Sequence, residues 1–298
     1  MTQNFELAKS RLNNIQTIQP LLTALRTMSM GAWQMANKKI AFMNRYEKNY
    51  DRILSEILPH IAQKRWRNQR NLEIPPRSVD TIYLLIGSER GLCGRFNISM
   101  AENALSFIKQ QGSSSYQIWI LGSRLLREVV RRGGKVSWRK SLPASSLFTY
   151  QQSYALTQNW LEQYEKYAFN RFIVLYNQIV KAGIYRFSVN NLLPYEMDHT
   201  PGFEETAQDL WPPPIIETDP KGIYNKIIQN FITFSFHQSI LKSAAAEHSA
   251  RYNLMQEASD NAEDIIEELV RVINAERKRK ITEEMQELAV SAGLLEHE

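Results

Sequence analysis

Apolar residues return every seven positions along the first sixty residues of the chain. Ala8, Ile15, Leu22, Ala36, Met43, Tyr50 and Ile57 lie on one ladder, broken only by Ser29, and Leu12, Trp33, Ile40, Leu54 and Ile61 fill a second. Such ladders predict a helix with a coiled-coil seam from Phe5 to about Ala62, about 80 Å long. Pro20 is expected to kink this helix or delay its start, because it removes a backbone donor and crowds the preceding turn. A second long helix is predicted from Pro220 to about Ala292, on the order of 100 Å if continuous. Met255, Ala262 and Leu269 form one of its ladders, and Tyr252, Ile266 and Ile273 another. Asp219 followed by Pro220 supplies its start.

The rhythm changes between these helices. Val79 to Gly87, Tyr116 to Leu121 and Arg171 to Asn177 are short apolar runs rich in β-formers, and a further strand follows Gly183. Helix-length stretches separate them at Ile98 to Gln111, Ser123 to Arg132 and Tyr150 to Phe169. The alternation predicts an α/β domain with a largely parallel sheet. The expected division is residues 1–74 (N-terminal helix and connector), 75–215 (α/β domain) and 216–298 (C-terminal helix). Each terminal helix is longer than such a domain is wide, so the economical packing is an antiparallel coiled coil of the two. Its far end would protrude with apolar seam residues still uncovered.

Composition narrows the function classes. The 298 residues carry 36 basic and 31 acidic side chains, a net charge of +5. This mild excess suits an acidic partner surface and falls short of a nucleic-acid-binding tail. Cys93 is the only cysteine, which excludes an internal disulfide and fits a reducing compartment. The N-terminus has no apolar core of a signal peptide, and no apolar run approaches the ~20 residues that span a bilayer. The expectation is a soluble chain, at most peripheral to a membrane.

The chemistry-bearing candidates are few. In Leu84 to Asn97, "LLIGSERGLCGRFN", three glycines follow a strand and precede a helix. The P-loop spacing is absent, and Gly87, Gly91 and Gly94 are not at dinucleotide-binding spacing. The loop is read as a tight strand-to-helix turn. His60, His199, His237, His248 and His297 show no paired metal spacing, and His237 and His248 read as partly buried helix residues. Cys93 has no evident histidine partner and reads as a small buried hydrophobe. No catalytic, cofactor or metal site is expected. The basic segments Lys64 to Arg70 and Arg131 to Lys140 each include a tryptophan and could meet nucleic acid, but solvated connectors are the simpler reading. Arg277, Lys278, Arg279 and Lys280 step around a helix like a collar, whereas a DNA-tracking helix would gather them on one face. A nucleic-acid-binding scaffold and a nucleotide-binding α/β enzyme stay open as alternatives.

The loop and the last forty residues together resemble the gamma subunit of F-type ATP synthases. Ser88, Glu89, Arg90, Gly91, Leu92, Cys93, Gly94, Phe96 and Asn97 match that family's loop. Asp260, Asn261, Ala262, Asn274, Arg277, Ile281, Thr282, Glu284 and Met285 match its C-terminal helix, and Ala244 to Ala262 resembles the segment before it. Lys278 replaces the family's glutamine, and Pro20 and Arg26 replace features of a lysine-bearing N-terminal stretch, as in a divergent or alternative bacterial form. The resemblance implies a non-catalytic rotor shaft: paired helices inside a ring of alpha and beta subunits, and a Rossmann-like α/β domain resting on the epsilon subunit and the membrane c-ring. It implies a place on the cytoplasmic face of the inner membrane, with no nucleic acid and no small-molecule substrate. Arg277, Lys278, Thr282 and Glu284 would be the contacts with the alpha/beta ring, and Glu89, Arg90, Gly91, Cys93 and Gly94 the loop of the family's type.

Overall fold

The computed structural model describes residues 2–57, 79–112, 115–144, 146–166, 168–181, 183–194 and 219–291. In chain order the elements are α1 (Thr2–Ile57), β1 (Val79–Ile86), α2 (Phe96–Gln111), β2 (Tyr116–Leu121), α3 (Ser123–Arg131), β3 (Val136–Lys140), α4 (Tyr150–Glu165), β4 (Phe169–Lys181), β5 (Ile184–Leu193) and α5 (Pro220–Ser291). They form two compact units, Ser29–Arg251 and Met1–Met28 with Tyr252–Glu298.

The larger unit is built on a five-stranded sheet of order β3-β2-β1-β4-β5. Its first four strands are mutually parallel, and β5 pairs antiparallel with β4 at the edge. A parallel sheet is covered on both faces, which is why β1 and β2 read as continuous apolar runs. Alternate residues of β1 divide between two cores. Ile82, Leu84 and Ile86 face α4 and the first part of α5, through Trp160, Ile232, Phe236 and Ile240. Tyr83 and Leu85 face α2 and α3, through Met100, Ala104, Leu125 and Val129. Within this unit α1 and α5 also meet, Met43 packing with Phe234 and Leu241 and the Gln238 amide donating to Asn44 Oδ1 at 3.0 Å.

Three expectations change. Residues 136–140 of the second basic segment form strand β3 instead of a connector, and Trp138 lies 5.2 Å from the Trp119 ring against the core. Strand β4 runs beyond the apolar stretch Arg171 to Asn177, because Gln178 to Lys181 pair with β5, an extension in which Ile179 and Tyr185 pack against Cys93, Phe96 and Ala246. Pro20 does not delay α1, which passes through it with the proline exposed. The first basic segment, Lys64 to Arg70, lies outside the described residues, as do His60, His199 and His297.

In the smaller unit Ala8, Met255, Ala262 and Leu269 are buried, while Ile15 and Leu22 are half-buried. The second ladder of α1 lacks apolar residues at Gln19 and Arg26, and both bond to α5. Gln19 donates to Glu263 Oε1 at 3.5 Å, and Arg26 donates to Gln256 Oε1 at 2.8 Å. Ser29, the break in the first ladder, begins the larger unit and is itself buried.

Candidate functional site

The loop after β1 turns most of its polar groups inward, although the Arg90 side chain is exposed. Ser88 N–H donates to Asn97 Oδ1 at 3.0 Å, and Asn97 Nδ2 donates to Ser88 Oγ at 2.7 Å and Cys93 Sγ at 3.4 Å. Ser88 Oγ in turn donates to the Arg90 carbonyl at 2.7 Å. The carboxamide of α2's second residue therefore ties the two ends of the loop together. Cys93 is buried, and desolvation pushes its thiol above the ordinary value. Leu92 (φ 60°) and Gly94 (φ 57°) take left-handed conformations to complete the turn.

Glu89 occupies the place where a phosphate-binding loop would present a helix terminus to its ligand. Its carboxylate accepts from Ser123 N–H at 3.1 Å, from Ser123 Oγ at 2.6 Å and from Leu142 N–H at 3.0 Å. A negative charge is stabilised at the first turn of a helix, and here α3 receives it from the protein itself. Burial opposes ionisation of Glu89, but the bonds from Ser123 and Leu142, with the nearby Arg127 charge, hold its carboxyl below the usual value. Gly122 precedes α3 at φ 104°, where a Cβ would stand 2.8 Å from the Ser88 carbonyl oxygen. A Cβ on Gly87 would lie 2.2 Å from that of Leu125. These glycines let β1, β2 and α3 approach closely. The site binds its own residues.

A buried arginine then clamps the loop to α5. Arg251 Nε donates to the Gly91 carbonyl at 3.2 Å, and Nη2 donates to the Arg90 carbonyl at 3.4 Å and to Glu247 Oε1 at 2.6 Å. Nη1 donates to His248 Nδ1 at 3.2 Å, which places the imidazole proton on Nε2. Burial followed by the Arg251 charge lowers His248 to about 4. Burial raises Glu247 despite the opposing Arg251 charge. Arg251 is a functional residue that the sequence motifs do not single out. Its signal was an acid and a base four residues apart in a stretch of alanine and serine.

The collar lies in the smaller unit and differs in kind. Arg279 pairs with Glu276 at 3.0 Å and Glu283 at 3.5 Å, and Lys280 lies 3.9 Å from Glu284. Thr282 Oγ donates to the Lys278 carbonyl at 2.9 Å. Arg277 and Lys278 are exposed, and among the described residues neither has an ionic partner. Ile281, Met285 and Leu288, spaced along one face beside them, are each at least half exposed. The structure thus separates the sequence-predicted residues into an inward-bonded loop (Glu89, Arg90, Gly91, Cys93, Gly94) and an outward-facing helix end (Arg277, Lys278, Thr282, Glu284). Among the described residues no group of histidine, cysteine and carboxylates could hold a metal ion, and no helix is long and apolar enough to cross a membrane.

Comparison with known proteins places this architecture. A family model described as ATP synthase matches residues 4–294. The ATP synthase gamma chain of Fusobacterium nucleatum is 24% identical over 288 residues, covering 96% of this chain and 98% of that one. The cryo-EM structure of the Euglena gracilis mitochondrial ATP synthase (OSCP, F1 and c-ring) includes a chain matching at TM-score 0.59 and 12% identity, over 99% of this chain and 95% of that one. A chain in the central stalk and c-ring of the Tetrahymena thermophila mitochondrial enzyme matches at TM-score 0.56 and 15% identity, over 80% and 99%. With the family's model matched along almost its whole length, the chain belongs to the ATP synthase gamma family, the non-catalytic central-stalk rotor subunits of a membrane-associated complex whose catalysis resides in beta subunits.

Proposed function

We propose that α1 and α5 pair as an antiparallel coiled coil turning inside a ring of alpha and beta subunits, on the cytoplasmic face of the membrane. In this reading residues 1–74 and 216–298 make the shaft, and residues 75–215 form the domain that meets the epsilon subunit and the c-ring. The observation that carries it is the order of polar bonds between the helices. Gln19 with Glu263 and Arg26 with Gln256 lie in one unit, and Asn44 with Gln238 in the other, so advancing along α1 always retreats along α5. Arg277, Lys278, Thr282 and Glu284 would meet the ring, forming and breaking charge-assisted hydrogen bonds as the shaft turns. The exposed Ile281, Met285 and Leu288 add an apolar stripe with no cover of its own among the described residues. The nucleotide chemistry is left to the partners, and this chain carries torque. Co-expression with the alpha and beta subunits tests the reading: a tagged chain is expected to recover both in stable complex, with ATP turnover. Recovery of the chain alone, or salt-sensitive binding to nucleic acid in their place, would overturn it.

A further inference from the structure

The part of α5 that lies against the α/β domain is unusually polar for a buried helix. Thr233, His237, Ser239, Ser249 and Arg251 are buried, and each has a partner outside the helix. Thr233 Oγ1 lies 2.6 Å from Thr157 Oγ1 of α4, and His237 Nδ1 lies 2.8 Å from Ser153 Oγ of α4. Asn190 of β5 uses both amide N–H groups, donating to Ser235 Oγ and Ser239 Oγ at 2.9 Å each. Ser249 Oγ accepts from Gly183 N–H at 2.9 Å in the β4–β5 turn.

The azimuths of these bonds matter more than their number. At about 100° per residue, Thr233, His237 and Arg251 fall within about 40° of one another, and Ser235, Ser239 and Ser249 within about 80° on roughly the opposite side. Ile232, Phe236 and Ile240, which enter the core, occupy the arc between them. The helix lies in a trough with an apolar floor and hydrogen-bonded rims, and the two rows extend over about 27 Å. Apolar packing is non-directional and resists rotation of a helix about its axis only through shape. Hydrogen bonds on opposite sides fix the angle, because any turn stretches both rows. Leaving such groups buried and unpaired is costly, so the rows hold one register against its neighbours.

We propose that these opposed rows key α5 to the α/β domain against rotation. Arg251, with its guanidinium held by two loop carbonyls and the Glu247 carboxylate, is the positioning residue through which the keyed joint bears torque. The proposal rests on the rotor reading and adds the place where force crosses from domain to shaft. Its test uses the assembled complex in membrane vesicles, reading ATP turnover and, with a potential-sensitive dye, the membrane potential that turnover generates. Assembly and coupled turnover of the wild-type chain are established first, so a failed rotor reading would appear there and not in the variants. Glu247→Gln with Arg251→Met removes both charges together and avoids stranding one in the interior. The expected result is ATP turnover within about twofold of wild type, with the potential per ATP reduced to about one third. Thr157→Cys with Thr233→Cys, added to that variant and oxidised, ties α5 to α4 where the side chains already touch. Oxidation is expected to restore the potential, and reduction to remove it again. Turnover and potential falling in equal proportion, or a bond shown by thiol loss that restores nothing, would overturn the proposal. If no bond forms there, Ser153→Cys with His237→Cys at the next contact is read the same way.

Discussion

The loop at residues 87–97 and the helix end at residues 274–291 are both polar, both glycine- or charge-rich, and built on opposite principles. In the loop Ser88, Glu89, Cys93 and Asn97 all bond to other parts of their own unit, and the turn closes on itself. At the helix end the charges of Arg277 and Lys278 have no ionic partner among the described residues, and neighbouring apolar side chains are exposed. Residue type alone does not separate these cases. What separates them is whether each group's partner lies within the chain. Substitutions in the loop should therefore damage folding first, and those at the helix end should damage only the assembled machine.

The largest effect is expected at Gly122. A valine there must adopt φ 104° and place its Cβ 2.8 Å from a backbone oxygen and 2.9 Å from the Gly87 carbonyl carbon, neither of which is a movable side-chain tip. The expected loss is at least about 3 kcal/mol, read from the urea midpoint of the purified chain. An unchanged midpoint would mean that the loop and α3 are not held together as described.

Acid should separate the two regions next. Burial and, secondarily, the Lys39 charge lower His237 to about 4, and burial and Arg251 do the same for His248. Between pH 6.5 and about 4 the unfolded chain binds protons that these folded imidazoles refuse, so stability is complete above pH 6.5 and falls as pH is lowered through that window. For His237 the loss is about 3 kcal/mol, since each pKa unit is worth about 1.4 kcal/mol. Glu89, held below its ordinary value of 4.5, adds a further loss as pH falls below 4.5. No histidine stands at residues 2–28 or 252–291, so hydrogen exchange in the helix end should lack the step between pH 6.5 and 4 that the larger unit shows. His237→Asn should remove about half of that step, with His248 carrying the rest, and a slope unchanged by it would assign the acid sensitivity elsewhere.

Much of this contrast could be read before the structure. Heptad ladders place both long helices, and alternating apolar runs place four of the five strands, because burial on one or both faces leaves a periodic trace. Strand β3 left none: at the sheet edge it needs few apolar residues, and only Val136 and Trp138 reach the cores, with Ser137, Arg139 and Lys140 exposed. Gln19 and Arg26 look like defects in a ladder until their partners on α5 are seen. The Arg251 clamp left only the Glu247 partner four residues away in the sequence, since its other acceptors on the loop are backbone carbonyls 160 residues away and any residue type supplies a carbonyl.

At the helix end, Arg277→Ala with Lys278→Ala is expected to change the chain's stability by less than about 0.5 kcal/mol, because both side chains are exposed and among the described residues neither has an ionic partner. ATP turnover of the assembled complex should nevertheless fall by about threefold or more, if these charges meet the ring as proposed. Complexes of full occupancy with unchanged turnover would make the pair a solvated face.

Arg279 gives the smallest and sharpest contrast. It stands one residue from Lys278 and carries the same charge as Arg277, so a collar acting only through its net charge would need it equally. Its direction differs, about 160° from Ile281 around the helix. Its guanidinium is also engaged with Glu276 and Glu283 along its own helix. Such exposed pairs one turn apart contribute about 0.5 kcal/mol or less, so Arg279→Ala should cost little stability. Turnover should stay at wild-type level in the complex where the Arg277 and Lys278 double variant loses it. Measuring both at two salt concentrations refines the comparison. Screening should lower wild-type and Arg279→Ala turnover together, while the double variant, already lacking the charges proposed to face the ring, should respond less. Equal losses in Arg279→Ala and the double variant would show that net charge, not the facing direction of two free cations, is what the helix end contributes.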